Sequence, residues 1–321
     1  MAQAWAVRDL LSRQPAHERA AALDHVSTRL IERAEEVAAL IVEENGKPLK
    51  WARVEVARGA STFRWAAEEA RRWSGALQRL DTERSGNGRL APVRRFSRGP
   101  VLAITPLNFP LNLVAHKVAP ALAVGSPVLI KPAPATPLSS LLLGELLAET
   151  ALPAGAWSVL PVPNAQMDAL VRDPRLPVIS FTGSGPVGMQ IQEAIPGKHI
   201  TLELGGNAAA VVCADYASDA DLDQAAERIA VFGTYQAGQS CVSVQRVLVH
   251  TSLRERLLGR LTHHVGRLVQ GDPRDAATDV GRWSTSRPRH GCRNGSRSPW
   301  PEGPGWSAVE VAPVPPCRRP S

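Results

Sequence analysis

Apolar residues recur at three- and four-residue steps between Glu18 and Glu44, at Leu23, Val26, Leu30, Ala34, Val37 and Ile41. That spacing lines one face of a helix and predicts a helix over the whole stretch. It stops at Asn45-Gly46-Lys47-Pro48, where glycine and proline both break helices. A second helical pattern runs from about Leu49 to Ser74. Residues 81–98 are polar and contain glycine, and read as an extended excursion or hairpin.

From Pro100 the texture changes. Short β-branched runs alternate with helical stretches: Val101–Ile104 then 111–124, Pro127–Ile130 then 137–150, Trp157–Leu160 then 165–172, and Val178–Phe181 then 186–195. Ile200–Leu204 closes the series. Such alternation is the mark of βαβ units feeding a mostly parallel sheet. A strand at 208–213, a helix at 219–232, a strand at 242–250 and a helix at 252–268 follow. The expected class is α/β, a Rossmann-like sheet with flanking helices over residues 1–205 and the start of a second α/β domain over 206–281.

Residues 282–321 differ in kind, with eight Pro, seven Arg, six Ser and no Leu, Ile, Phe, Tyr or Lys. A stretch without apolar period cannot offset its ordering entropy, so disorder is expected there. The tail also changes the reading of charge. The chain carries a net +7, which invites a nucleic-acid partner. Seven Arg against Glu302 and Glu310 put most of that surplus in the tail, and the rest has no basic stripe. No nucleic acid is expected. Four cysteines in 321 residues make no disulfide framework, and the His spacing suggests no metal. No apolar run is long enough for a bilayer, and the N-terminus lacks a signal-peptide layout. The expectation is a cytoplasmic protein without a membrane partner.

Four local motifs occur in order on elements of the right type: Pro106-Leu107-Asn108-Phe109-Pro110, Phe181-Thr182-Gly183-Ser184-Gly185-Pro186-Val187-Gly188, Leu202-Glu203-Leu204-Gly205-Gly206-Asn207, and Gly238-Gln239-Ser240-Cys241. Weaker echoes are Glu44–Pro48, Lys131-Pro132-Ala133, Gly271-Asp272-Pro273 and Thr278–Gly281. Together they resemble the aldehyde dehydrogenase superfamily over roughly residues 1–281. Any one of them alone is weak.

The resemblance and the chemistry point to the same residues. A free carbonyl is not a hydride donor, but a thiolate adduct of it is, which assigns Cys241 as nucleophile. The adduct carries negative charge on oxygen, and Asn108 is the expected amide donor, together with the Cys241 backbone N–H. The thioester left after hydride loss must be hydrolysed, and Glu203 is the expected base for that water. Members that pass the acyl group to coenzyme A tend to lack this Glu, so hydrolysis to a free acid is favoured. Blander readings stand beside each of these. A cysteine is usually a small buried hydrophobe, which is the reading kept for Cys213. An Asn among turn residues usually satisfies local backbone groups, and a strand-end Glu is usually solvated.

The resemblance further implies a cofactor site at Thr182, Gly183, Ser184 and Gly188, where a strand-to-helix turn suits a pyrophosphate, and at Leu204 and Gly205. Lys131 is implied to reach the adenosine ribose or its phosphate. Three residues on, NAD-preferring members often carry Glu. Here Pro134 stands in that place, so NADP or dual use with NAD is expected. Pro161-Val162-Pro163 replaces a Gly-rich turn that lines the cofactor cleft in many relatives.

Complete members of the superfamily are longer than this chain, and the part after Gly281 carries a second Glu, in a Glu-x-Phe-Gly-Pro segment, that holds the nicotinamide ribose. The tail composition is that of a shifted reading of a GC-rich coding region, so loss of frame at or just after Gly281 is the expectation. Two functional readings follow. One is oxidation of an aldehyde, such as a semialdehyde, to a carboxylic acid with NAD(P)+. The other is an inactive remnant that at most binds nucleotide. Relatives form homo-oligomers through a hairpin like 81–98 and a C-terminal strand that is missing here.

Overall fold

A computed structural model describes residues 1–281 and the strand at 306–310. The chain divides into two compact units, one of Met1–Leu40 with Val54–Glu203, the other of Ile41–Arg53 with the chain from Leu204 onward. The division falls between Glu203 and Leu204, and 41–53 belongs to the second unit, which was not expected.

Helix α1 (Ala2–Arg13) buries Ala4, Val7 and Leu11 on one face. The same spacing rule covers it, although residues before Glu18 carried no expectation. The single helix expected over Glu18–Glu44 is two, α2 (Ala16–Glu32) and α3 (Ala34–Asn45), broken at Arg33 with φ −99° and ψ 22°. Arg33 there donates to the Glu36 carboxylate at 2.5 and 2.8 Å, and Glu35 and Glu36 are acids in the first turn of α3, where the helix dipole favours them. The apolar period survives the break, so spacing alone hides it. Helix α4 (Leu49–Arg72) agrees closely with its expected span. Strands β1 (Ala76–Arg79) and β2 (Leu90–Val93) form an antiparallel pair, with Ala76 opposite Val93. The expected hairpin is present but begins earlier than residue 81.

The main sheet of the first unit holds β3 (Val101–Ile104), β4 (Val128–Lys131), β5 (Trp157–Val159), β6 (Val178–Gly183) and β7 (His199–Leu204). Its order is β5-β4-β3-β6-β7. The pairs β3–β4, β3–β6 and β4–β5 are parallel. The crossovers are α5 (Asn112–Ala123), α6 (Leu138–Ala148), α7 (Met167–Arg172) and α8 (Gly185–Ala194). Strands β3 and β4 are buried at every position, as their unbroken apolar runs predict for a sheet covered on both faces. Leu102, Leu122, Leu129, Ile130 and Leu143 are among the fully buried side chains.

In the second unit, β8 (Ala209–Val212) and β9 (Arg246–His250) are parallel, with α9 (Asp219–Thr234) between them and α10 (Arg254–Gly266) after them. Their core holds Val212, Leu222, Ile229, Val247, Val249, Leu257 and Leu261. Ser218 caps α9 by accepting from the Asp221 N–H at 3.1 Å. The strand expected from 242 starts only at Arg246, because a turn occupies the earlier residues and Ser243 N–H donates to the Ser240 carbonyl at 3.1 Å. Strand β10 (Trp306–Glu310) pairs antiparallel with β9. It corrects the expectation of no strand in the tail: the open edge of β9 offers backbone donors and acceptors that an extended segment satisfies whatever its period. The rest of the 282–321 expectation lies outside the described residues. Among the described residues, no helix is long and apolar enough to cross a membrane.

Gly125 follows the C-terminus of α5 with φ +77°, and a Cβ there would lie 2.9 Å from the Leu11 carbonyl oxygen and from the Ser12 Cα at the end of α1. Gly125→Ala therefore meets both a left-handed backbone and a clash with main chain. It is expected to cost about 1–3 kcal/mol, read as a lowered urea midpoint with an unchanged m-value.

Candidate active site

Strands β4, β3 and β6 are parallel neighbours, so their carboxyl ends open in one direction. The chain moves from β3 to β4 and β5 on one side and returns to β6 and β7 on the other. Ligands in such sheets bind outside the carboxyl ends at that reversal. Several of the predicted residues gather there. Asn108 lies half-buried in the loop after β3, Lys131 ends β4, and Thr182 and Gly183 end β6. Ser184 is the N-cap of α8, and Gly188 is buried in that helix.

Lys131 is 3% exposed. It donates to Asn164 Oδ1 at 2.6 Å, and burial lowers its pKa. Its carbonyl accepts from the Thr105 N–H at 3.1 Å, tying the end of β4 to the end of β3. Asn164 directly follows Pro161-Val162-Pro163, so this proline turn delivers the partner of Lys131. Pro134 is exposed.

The β6–α8 turn fits a dinucleotide phosphate. Ser184 makes no side-chain cap, which leaves the first-turn N–H groups of α8 to a ligand. A Cβ at Gly183 would come 2.5 Å from the Phe181 ring, whereas one at Gly185 or Gly205 would meet nothing. Thr182 Oγ1 is buried, with no hydrogen-bond partner among the described residues. An orphaned hydroxyl in an apolar setting is costly and points to a group that a ligand completes.

The same unit holds a cavity of about 730 Å³ between α4, α5 and strands β6 and β7. Trp65, Trp73, Leu113 and Pro120 make its apolar wall, and Lys117, Thr182 and Glu203 reach into it. Glu203 is exposed, as the blander reading of a strand-end carboxylate has it. Strand β7 alternates exposed and half-buried positions, which turns Thr201 and Glu203 to one face.

Lys117 is a residue the sequence reading missed. It is 6% exposed and donates to Ser180 Oγ at 2.9 Å. Burial pulls its pKa from 10.5 to about 8, with Glu203 opposing the shift. The signal was a lone charged position on the apolar face of α5, among Val114, Ala115, Val118 and Leu122. Beside it, burial lowers the His116 pKa, helped by Arg58 and Lys117.

Glu55, also missed, is fully buried on α4. Its Oε1 accepts from the backbone N–H groups of Leu111 and Asn112, each at 3.0 Å. It caps α5 from another helix and so holds the end of the Asn108 loop. Without that one acceptor, each of the two buried donors would cost about 1–3 kcal/mol.

In the second unit, Cys241 is exposed and reduced. It follows a turn in which Gln236, Ala237 and Gly238 have φ of 53°, 52° and 77°. Two consecutive non-glycine residues in the left-handed region cost about 1–2 kcal/mol each. The Gly205-Gly206 turn approaches this segment, and a Cβ at Gly206 would lie 3.9 Å from the Cys241 carbonyl oxygen. Gln245 Nε2 donates to the Gly206 carbonyl at 3.3 Å, and Arg246 to that of Asn207 at 2.7 Å. The end of the third motif is thus bonded to Gln245 and Arg246, just past the fourth, and lies beside Cys241. Cys213, expected to be buried, is exposed one residue beyond β8.

A model of the Aldehyde dehydrogenase family matches residues 1–293, extending past Gly281 into positions outside the described residues. Among curated proteins, the 3-sulfolactaldehyde dehydrogenase of Priestia aryabhattai is 38% identical over 266 residues, 83% of this chain and 55% of that protein. Among solved structures, aldehyde dehydrogenase 21 of Physcomitrella patens in complex with the reaction product succinate superposes with a TM-score of 0.87 at 41% identity, covering 91% of this chain and 60% of that one. The NADP-dependent glyceraldehyde-3-phosphate dehydrogenase of Bacillus halodurans C-125 complexed with NADP gives 0.86 at 33% identity, covering 91% and 61%. The chain spans about half the length of the curated relatives it matches.

The buried amine makes stability pH-dependent. Below about pH 8 Lys117 is charged in both folded and unfolded chains, and the folded form bears the full burial cost, on the order of 3 kcal/mol. Between about 8 and 10.5 the unfolded chain binds the extra proton, so stability rises with pH across that window. Lys117→Met is expected to be more stable than the parent at neutral pH, by up to that cost less the lost bond to Ser180. The gap should close by about pH 10, and paired urea titrations at the two pH values check it.

Proposed function

The chain belongs to the aldehyde dehydrogenase family, and on that premise we propose that it carries the reacting groups for oxidising an aldehyde to a carboxylic acid with NAD(P)+. The Cys241 thiolate adds to the aldehyde carbon and forms a C–S bond, leaving negative charge on oxygen. The Asn108 amide and the Cys241 N–H donate to that oxygen. NAD(P)+, when bound, takes up the hydride that this carbon releases. The product is a thioester on Cys241. Glu203 accepts a proton from water as the water oxygen attacks the thioester carbon, and the thiolate leaves, which frees the acid. Lys117 lines the same cavity as Glu203, and burial lowers its pKa to about 8.

The observation that carries this reading within the first unit is the cavity that brings Glu203, Lys117 and Thr182 to one apolar space. Support for the cofactor comes from the orphaned Thr182 hydroxyl, the uncapped start of α8 and buried Lys131. NADP and NAD both fit, since Pro134 offers no acid against a 2′-phosphate.

The substrate class we propose is a small aldehyde with an anionic far end. His116 and Lys117 line the cavity, and Arg58 is near enough to depress the His116 pKa. The compounds named for the three relatives carry a sulfonate, a carboxylate and a phosphate.

The test is NAD(P)H formation by the purified chain, with anionic aldehydes and neutral ones of equal length. The expectation is turnover that Cys241→Ala lowers by about three orders of magnitude or more, with higher kcat/KM for the anionic series. Equal kcat/KM for the two series would remove the anionic class. A folded chain that binds NADP and turns nothing over would support the second reading, nucleotide binding without catalysis.

A further inference from the structure

The segment Glu44-Asn45-Gly46-Lys47-Pro48 and the stretch Gly271–Gly281 have no part in the chemistry above, yet both are held tightly. Asn45 is 1% exposed, and Lys47 is among the largest fully buried side chains. Arg274 pairs with Glu43 at 2.7 and 2.9 Å, and Lys50 pairs with Asp279. The Leu49 N–H donates to the Pro273 carbonyl at 2.8 Å, and the Trp51 indole to the Asp279 carbonyl at 3.1 Å. A Cβ at Gly281 would lie 2.3 Å from the Gly46 carbonyl oxygen. Residues 271–281 thus form an abutment for 43–51.

What 43–51 braces is the turn before the nucleophile. Asn45 Oδ1 accepts from Gln236 Nε2, and Gln236 is 3% exposed. Trp51 meets Tyr235 edge-on with centroids 4.8 Å apart. Gln236 and Ala237 are the only non-glycine residues of positive φ among the described residues. Such strain persists only where the surroundings over-determine it, and it concentrates at functional sites. The turn is also tied forward: the Gln239 N–H donates to the Gln236 carbonyl at 3.0 Å, and Ser243 Oγ to the Gly238 carbonyl at 3.2 Å. Cys241 lies between these ties and inherits its direction from them.

We propose that Asn45 is a positioning residue for the nucleophile: through its bond to Gln236 it holds the left-handed turn that presents Cys241. The assignment rests on Cys241 being the nucleophile. Without the brace the turn relaxes toward right-handed φ, and Cys241 turns away with it. Gln236 supplies the donor, and Ala237 adds strain that glycine would not have.

The test is the iodoacetamide alkylation rate of the native full chain, resolved by peptide mass spectrometry, with exposed Cys213 as the internal standard. It needs neither aldehyde nor cofactor, so it reads the brace on Cys241 separately from turnover, and a failure here is distinguishable from a failure of the functional reading. Asn45→Ala and Gln236→Glu, which keeps the side-chain size and removes the N–H donor, are expected to slow Cys241 by about five-fold or more relative to Cys213. Ala237→Gly added to Asn45→Ala is expected to restore most of the rate, because the turn then holds its shape unaided. An unchanged Cys241:Cys213 ratio in both variants would overturn the proposal. So would a parallel change of both thiols, which would make Asn45 a general stability residue, or a failure of Ala237→Gly to restore the rate.

Discussion

A parallel strand covered on both faces has nowhere along its length to keep a polar side chain. Strands β3 and β4 are in that position, buried at all four residues. Polar work is driven to their carboxyl ends, where the chain first leaves the apolar layer. Asn108 follows β3, Lys131 is the last residue of β4, and Thr182 and Gly183 close β6. Strands β6 and β7, neither of them buried at every position, bring Ser180, Thr182, Thr201 and Glu203 to the cavity from within a strand. The distribution of candidate functional groups follows from which strands are wrapped on both sides.

Much of this was legible in the chain. Val101–Ile104 is a strand to the residue, because an apolar run between turn signals has few other readings. Three of the four motifs are local strand-to-turn patterns and fall where expected, while Gly238–Cys241 sits in a turn between α9 and β9. What stayed hidden depends on partners far away in sequence. The break at Arg33 leaves the apolar period intact. Glu55 looks like any helix-face carboxylate until the Leu111 and Asn112 N–H groups reach it. Lys117 was visible as an oddity on an apolar face, but its displaced pKa is a product of burial. The membership of 41–53 in the second unit rests on bonds to residues beyond 230 and cannot be read from composition.

The loops that hold the proposed reacting groups are not self-supporting. The start of α5, after the Asn108 loop, has no side-chain cap of its own and takes its acceptor from Glu55 on α4. The turn before Cys241 holds two residues in a costly conformation and takes its brace from Asn45 at the end of α3. In each case a polar side chain from the early helices satisfies backbone or amide donors on a loop read as functional. Stiff, buried supports of this kind keep a short loop at one geometry, which catalytic positioning requires.

Strand β9 has β8 on one side and β10 on the other. His250 pairs with Trp306, residues separated by all of α10 and the chain beyond it. A growing polypeptide therefore completes β9 well before its second neighbour has been made. During that interval the row of backbone donors and acceptors along Arg246–His250 is open to any other extended segment, including one from a second nascent copy. Ribosome pausing between those two points would lengthen the exposure, and chaperone capture of the β8–β9 edge would shorten it. The yield of folded chain is then a matter of translation kinetics as much as of final stability.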